Sequence, residues 1–397
     1  MHNKVIVCTA KYSDNLGDGV ISDSVEYLLK RANPNIQVDT LDISGRTHYD
    51  NSDNTDTTLV KKVFLNTPEI FRPLVTLIGW FFIFKPRLRT EIKRLNFKQC
   101  SLLIFGGGQL INDIALNFPL KMSYITKHAR QQQLKYSFNA VGVGQKVSPV
   151  GKKLFNSIFK SRHLVSIHVR DNESLQRFNH IFCSHKEPLL TIDSGLWAQE
   201  TYKLTSVARN NKSLDGRLRI GVGISHPKEL AAHSVDVSNL DMIDFWVEII
   251  SRITQLNLCP VLFTNGSRDD HLFMRQVVNK LDEHDKLNDI DVLARFKKPE
   301  QLVMAIATFA GVLSHRLHAN IISHSLNVPS VALAWDKKVQ SYFNLIERSE
   351  WCYSDSLPPE TIVNGLIEAI NLGLNQKKID NLKIISLRNL EMQIRMD

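Results

Sequence analysis

Ala310-Gly311-Val312-Leu313-Ser314-His315-Arg316-Leu317-His318-Ala319-Asn320 is followed shortly by Val328-Pro329-Ser330-Val331-Ala332-Leu333-Ala334-Trp335-Asp336-Lys337-Lys338. An apolar β-type run, Ala310 to Leu313, stops at Ser314, a residue type that caps helix N-termini. A helix is predicted to follow, with His315, Arg316 and His318 in its first turn. Cations are disfavoured at that positive end by about 0.3–1 kcal/mol each. Their presence points to an anion held by free N–H groups, guanidinium and imidazole together. A second apolar strand, Ser330 to Ala334, runs straight into Asp336 and Lys338. Strand, helix and strand, with polar residues at the carboxyl ends of both strands, is where α/β proteins keep their chemistry.

The same alternation extends in both directions. Towards the N-terminus, strands are predicted at Lys4–Ala10, Ile36–Leu41, Ser101–Phe105, Ala140–Val143, Leu164–Val169 and Leu189–Ile192. Helices are predicted at Gly19–Arg31, Pro149–Lys160 and Asn172–Phe178. After a polar, basic stretch from Thr201 to Arg217, the pattern restarts with strands at Leu218–Ile224 and Pro260–Thr264 and helices at Asp241–Gln255 and Asp269–Leu281. Pro359–Asn371 and Gln376–Ile394 read as closing helices. This predicts an α/β protein of two doubly wound, Rossmann-like domains, 1–205 and 206–397, facing a cleft.

With 397 residues, 43% hydrophobic and 22% charged, the chain is long enough for two cores. Its formal net charge of +9 favours an anionic partner. Nucleic acid is disfavoured, because no zinc-finger spacing, RNA-recognition signature or basic block interleaved with aromatics is present. The five cysteines include no CxxC pair, which argues against a disulfide framework or zinc site; Cys8, Cys100 and Cys259 sit in or beside apolar runs and read as core. The N-terminus begins directly as a strand, without the features of a signal peptide, and a cytoplasmic location is expected.

One apolar run stands out. Leu74 to Phe84 contains Trp80, Phe81 and Phe82 and is flanked by Arg72, Lys85, Arg87 and Arg89. It is far shorter than the roughly 20 residues needed to span a bilayer. Two readings stay open: a buried helix, or an interfacial helix resting on the anionic inner face of a membrane.

Three further motifs follow strands. Asp14-Asn15-Leu16-Gly17-Asp18-Gly19 permits a tight turn with exposed N–H groups and places Asn15, Gly17 and Asp18 at a strand end. The GxGxxG fingerprint is missing, which argues against a dinucleotide cofactor. Gly106-Gly107-Gly108 marks close approach of a ligand or another segment, with Asn112 and Asp113 about one turn later. Arg170-Asp171 ends a strand as a structural ion pair or as a cation directed at a ligand. His315 and His318 have i, i+3 spacing, but without acidic or cysteine ligands nearby no metal is expected.

Taken together these segments resemble the polysaccharide pyruvyl transferase family. The resemblance rests on Asn15-Leu16-Gly17-Asp18, Gly106-Gly107-Gly108 with Asp113, and Ser166 with Arg170-Asp171 and Ser174. It continues through Arg316-Leu317-His318-Ala319 and Pro329 to Asp336-Lys337-Lys338. Trp335 stands where the family more often has tyrosine, and Arg46 to Leu95 has no counterpart. The resemblance implies a GT-B-like fold with the acceptor on the N-terminal domain and the donor anion on the C-terminal one. It implies transfer of pyruvate from phosphoenolpyruvate onto a cell-surface polysaccharide sugar, free or lipid-linked, as a cyclic ketal, with no cofactor beyond the donor. On this reading His318 is the general acid, with Asp18 and Asp113 as further catalytic groups. Arg170, Arg316, Lys338, Asp336, Asn15, Gly17, Gly106, Gly107, Gly108 and His315 bind substrate. The alternatives are a nucleotide-sugar glycosyltransferase of the same fold and a non-catalytic glycan-binding subunit.

Overall fold

Apolar runs separated by Gly-containing turns become parallel strands in the computed structural model, which describes residues 3–49, 63–64, 67–204, 211–227, 239–334, 337–354 and 356–395. The chain divides into two compact units. The first comprises Met1–Ser13, Ile21–Ser194 and Leu382–Asp397; the second comprises Asp14–Val20 and Gly195–Asn381. The main crossing thus falls at Ser194/Gly195, before the basic stretch that the sequence suggested as linker. Two helices also divide between the units. The N-terminal turn of the helix Leu16–Ala32 belongs to the second, and the helix Gln376–Arg395 passes into the first from Leu382 onward.

In the first unit, β1 (Lys4–Thr9), β2 (Gln37–Asp42), β3 (Leu102–Gly106), β4 (Lys135–Val141), β5 (Leu164–Val169) and β6 (Pro188–Leu190) form one parallel sheet ordered β2-β1-β3-β4-β5-β6. β3 is apolar throughout and β1 from Val5 to Cys8, as expected of strands covered on both faces, while β4 and β5 carry the buried polar residues Ser137, Asn139 and His168. Phe105 stacks on Phe138 with centroids 5.0 Å apart, and Phe159 meets Phe138, Phe178 and Phe182 edge-to-face. The last helix closes this core through a polar contact. Gln393, fully buried, accepts from Ser137 Oγ (2.9 Å), donates to Asn139 Oδ1 (3.2 Å) and lies 2.6 Å from His168 Nδ1. Burial holds the His168 pKa down to about 4, so the ring is neutral there.

The second unit contains β7 (Arg219–Gly223), β8 (Cys259–Phe263), β9 (Asp291–Val292), β10 (Gly311–Ser314), β11 (Ser330–Leu333) and β12 (Cys352–Tyr353), ordered β12-β11-β10-β7-β8-β9 and all parallel. Counted from β7 this is the Rossmann order 3-2-1-4-5-6 read in reverse. The strand order therefore switches between β7 and β10, and the loops leaving those two strands flank the crevice where such sheets bind ligands. Cys8, Cys100 and Cys259 are buried and all five cysteines are free. Among the described residues no helix is long and apolar enough to cross a membrane.

Candidate active site

The β7–β10 switch point of the second unit is built by close backbone approach. Ser314 Oγ donates to Gly223 O across the two strands (3.1 Å), and a Cβ on Gly223 would lie 2.4 Å from that hydroxyl. Arg316 N in turn donates to Ser314 Oγ (3.1 Å). Ser314 therefore ends the strand and shapes the loop. The helix runs Leu317–Ser325, its N-cap is Arg316 in extended conformation, and of His315, Arg316 and His318 only His318 lies in its first turn. The displacement has a local cause, since serine hydroxyls bond neighbouring backbone groups in loops as readily as at caps. Asn320 secures the turn, donating from Nδ2 to the carbonyls of Arg316 (3.0 Å) and Ser314 (3.2 Å).

Arg316 is 9% exposed, and its guanidinium is aimed by a buried carboxylate. Nε and Nη2 both donate to Asp270 Oδ2, at 3.0 and 2.5 Å, while Asp270 Oδ1 accepts from the His226 backbone N (2.9 Å). Asp270 lies in the first turn of the helix Arg268–Asp282, which follows β8. His315, fully buried, packs edge-on against the ring of Trp246 with centroids 5.3 Å apart. Burial first, and the Arg316 charge second, push its pKa down to about 3. At neutral pH His315 carries no charge to offer an anion.

The first motif of the chain meets this loop. A Cβ on Gly17 would lie 2.4 Å from His318 Cβ, so only glycine lets the start of the helix Leu16–Ala32 approach so closely. His318 Nδ1 stands 3.9 Å from Asp18 Oδ1, with the side chains 11% and 22% exposed. Leu16 N donates to Asn265 O (2.8 Å), and Gly17 N to Asn15 Oδ1 (3.4 Å). Asn265 lies just beyond β8 and is 1% exposed; both atoms of its side-chain amide are buried without a hydrogen-bond partner among the described residues. Ser225, two residues beyond β7 and 2% exposed, leaves its Oγ in the same condition. Buried polar atoms of this kind are uncommon and call for an explanation.

Other predicted residues lie in the first unit. Gly107 and Gly108 adopt φ of +63° and +65°, and a Cβ on Gly107 would lie 1.8 Å from Ile21 Cγ2. Gly106 is less constrained, its nearest Cβ contact being Val25 at 3.3 Å. Asp113 Oδ1 accepts from Leu116 N (2.7 Å), and Oδ2 accepts from both the backbone N (2.8 Å) and Oγ (2.6 Å) of Ser148, the N-cap of the next helix. That fills about three of the four acceptor positions of a carboxylate. Arg170, 5% exposed, pairs with Asp171 (3.4 Å) and Asp193 (3.2 Å). Rather than offering a bare cation it belongs to a trio whose formal charge is net negative. Lys338 sits half-buried in the first turn of the helix Lys337–Leu345, and Asp336 lies outside the described residues.

Comparison with known proteins decides the family. The sequence profile described as polysaccharide pyruvyl transferase matches residues 15–337. The chain belongs to this family. The matched span runs from Asn15 to Lys337, and so takes in both the Gly17-Asp18 turn and the Arg316-Leu317-His318 loop. No curated protein sequence matches the chain. Among solved structures it is similar to UDP-GlcNAc 2-epimerase from Neisseria meningitidis, at 8% identity and TM-score 0.52, covering 99% of each chain. It is also similar to sucrose-phosphate synthase from Thermosynechococcus elongatus, at 11% identity and TM-score 0.54, covering 98% of this chain and 97% of that one. A third is UDP-GlcNAc 2-epimerase from Methanocaldococcus jannaschii, at 10% identity and TM-score 0.51, covering 93% and 92%. At these identities the likeness is one of fold, the two-domain GT-B-like architecture.

For a pyruvyl transferase family member, the residues that reading the sequence missed are informative. Asp270, Asn265 and Ser225 all lie just after strands of the second sheet. The signal was available in Thr264-Asn265-Gly266-Ser267, a polar run with glycine directly after an apolar strand. Gly266 has φ +97°, and a Cβ there would lie 2.6 Å from Leu16 Cγ. Among the described residues no three His, Cys, Asp or Glu side chains gather as a metal-binding group.

Proposed function

We propose that this polysaccharide-modifying transferase takes pyruvate from phosphoenolpyruvate and fixes it on two hydroxyls of a sugar as a cyclic ketal. The observation that carries the reading is the Arg316–His318 loop: a guanidinium held from behind by Asp270, beside an imidazole pressed on Gly17 and facing Asp18. Phosphoenolpyruvate presents a phosphate and a carboxylate on a three-carbon frame. Arg316 would bind the phosphate, with Lys338 and Asp336 completing the site. The Asn265 amide and Ser225 hydroxyl are donors suited to the carboxylate, and binding would give both their missing partners.

Chemistry follows from the enol phosphate. His318, as the protonated ring opposite the Asp18 carboxylate, gives its proton to the methylene carbon, which becomes a methyl group. The adjacent carbon turns electrophilic and a sugar hydroxyl adds to it, losing its proton. Phosphate then leaves with the C–O bonding pair, its charge met by Arg316. A second hydroxyl then closes the ring; the proton of the first hydroxyl restores His318 and that of the second passes to the released phosphate. As written, the sequence needs no cofactor. Arg170, against which Gly142 packs closely, and Asp113, which accepts from Ser148, would act as positioning residues. The acceptor is proposed to be a polysaccharide precursor, free or lipid-linked, met by a peripheral enzyme at the inner face of the membrane, without nucleic acid as a partner.

The test is phosphate release from phosphoenolpyruvate with a panel of galactosides, mannosides and lipid-linked sugars, run in deuterium oxide. The reading expects acceptor-dependent phosphate and a solvent deuteron in the ketal methyl group. Release of nucleotide from a nucleotide sugar, with phosphoenolpyruvate inert, would replace it with a glycosyltransferase.

A further inference from the structure

We infer that the outward face of the segment Glu69–Leu95 docks on an anionic lipid bilayer. The segment is a short 3-10 turn (Glu69–Phe71), a helix (Arg72–Gly79), a π turn (Trp80–Phe84) and a second helix (Lys85–Leu95) in unbroken succession.

Its inner face is conventional. Thr76, Trp80, Leu88 and Ile92 are buried at multiples of four residues, with Phe84 between them packed on the core, and Leu95 continues the line. An α-helix turns once in 3.6 residues, so a four-residue repeat drifts by about 40° at each step. The π turn at Trp80–Phe84 rotates less per residue and takes back part of that drift, which keeps Leu88 and Ile92 on the core side. Trp80 packs edge-on against Tyr124 with centroids 5.4 Å apart, so it belongs to the core and not to the outward aromatics.

The outer face carries the inference. Ile70, Phe71, Leu74, Ile78, Phe81 and Phe82 recur at helical spacing and are 80%, 57%, 58%, 53%, 56% and 78% exposed. Pro73–Phe84 contains no charged residue. A surface helix ordinarily turns polar residues outward, and one that is apolar all round is covered by something. The rim identifies what. Arg72, Lys85, Arg87, Arg89, Lys93 and Arg94 stand against two acids. Of these, Glu91 is buried and held by Arg94 (2.8 Å), and Glu69 is 3.4 Å from Arg72. Lys85 Nζ lies 5.3 Å from the Phe81 ring centroid, an apolar stem with its charge carried to the edge.

A second copy of this chain is the wrong occupant, because a twofold contact sets like charge against like. An apolar, aromatic strip bordered by cations fits the boundary between lipid tails and phosphate headgroups, where such helices lie in the plane. The docking rests on the peripheral placement proposed above and supplies its surface.

Flotation of the full-length protein with vesicles of equal phosphatidylcholine and phosphatidylglycerol tests it, against pure phosphatidylcholine as the control. Binding is expected to the anionic vesicles only, and to weaken as salt rises. Phe81→Ser with Phe82→Ser, both at exposed positions, should lower partition at least tenfold with the melting temperature unchanged. Arg89→Glu with Lys93→Glu should lower it by a similar factor. Acceptor-dependent phosphate release with a water-soluble sugar should persist in both variants, which separates failure of the docking from failure of the transferase reading. Wild-type protein that ignores the anionic vesicles at low salt, or a serine variant that binds as wild type, overturns the inference. Lipid-free self-association abolished by the serine pair would overturn it in favour of a second copy.

Discussion

Asp270→Asn is the perturbation that most sharply separates a built anion site from a chance cluster of cations. Among the described residues Asp270 accepts from Arg316 Nε and Nη2 and from the His226 backbone, and it is fully buried. Asparagine keeps the volume and one acceptor oxygen but removes the charge opposite a guanidinium that is itself 9% exposed. Breaking a buried ion pair while leaving its partner in place costs about 3–5 kcal/mol. Partial retention of the contact by asparagine puts the expectation at the low end, about 3 kcal/mol in a urea titration. Arg316 then loses its fixed direction. A charge-assisted bond is worth about 1.5–3 kcal/mol, so kcat/KM for phosphoenolpyruvate should fall roughly 10- to 150-fold. Donor KM should carry more of this than kcat, because Asp270 touches Arg316 and not the reacting carbons. A cycle with Arg316→Lys should show strong non-additivity, since lysine cannot reproduce the two-nitrogen contact. An Asp270→Asn enzyme with wild-type stability and donor KM would refute the claim that this carboxylate aims Arg316.

Two further outcomes follow from buried groups in the first unit. Lys121, 4% exposed, donates to Ser44 Oγ (2.9 Å) and lies 3.9 Å from the Phe84 ring centroid, and burial lowers its pKa from 10.5 to about 7. The unfolded chain therefore binds more protons between about pH 7 and 10.5, so stability should rise with pH across that window. The penalty is at most about 5 kcal/mol at 1.36 kcal/mol per unit, fully present below pH 7. Lys121→Met should raise the melting temperature at pH 7 and flatten the rise, and a variant as pH-dependent as wild type would contradict the assignment. Gly107→Ala must place a Cβ against Ile21 at φ +63° and should cost about 2–4 kcal/mol in urea titration; a neutral result would mean that the loop relaxes.

The fold was legible because its signals are local. Parallel strands covered on both faces show as apolar runs, β3 most plainly, and the glycines at 107 and 108 announce left-handed backbone. The Arg316-Leu317-His318 loop was legible as a polar cluster at a strand's carboxyl end for the same reason. What stayed hidden depends on distant partners. Ser314 reads as a cap until Gly223, 91 residues away, is seen to accept its hydroxyl. Asp270 reads as an ordinary first-turn acid until β8 and β10 bring it to Arg316. Arg170 reads either as an ion-pair partner of Asp171 or as a cation directed at a ligand until Asp193 is placed beside it. The last helix reads as a close to the second domain, and contacts such as that of Gln393 with Ser137, 256 residues apart, show that it completes the first.

Calorimetric titration of phosphoenolpyruvate into the wild type, Arg316→Lys and Arg316→Ala, each checked by melting temperature, tests the central claim most directly. The account predicts that the wild type binds the donor without a nucleotide. It predicts that Arg316→Ala binds about 30- to 150-fold more weakly, the equivalent of about 2–3 kcal/mol, and that Arg316→Lys recovers little of the loss. Undiminished binding in a folded Arg316→Ala protein, or a wild type that binds a nucleotide sugar and ignores phosphoenolpyruvate, would contradict it.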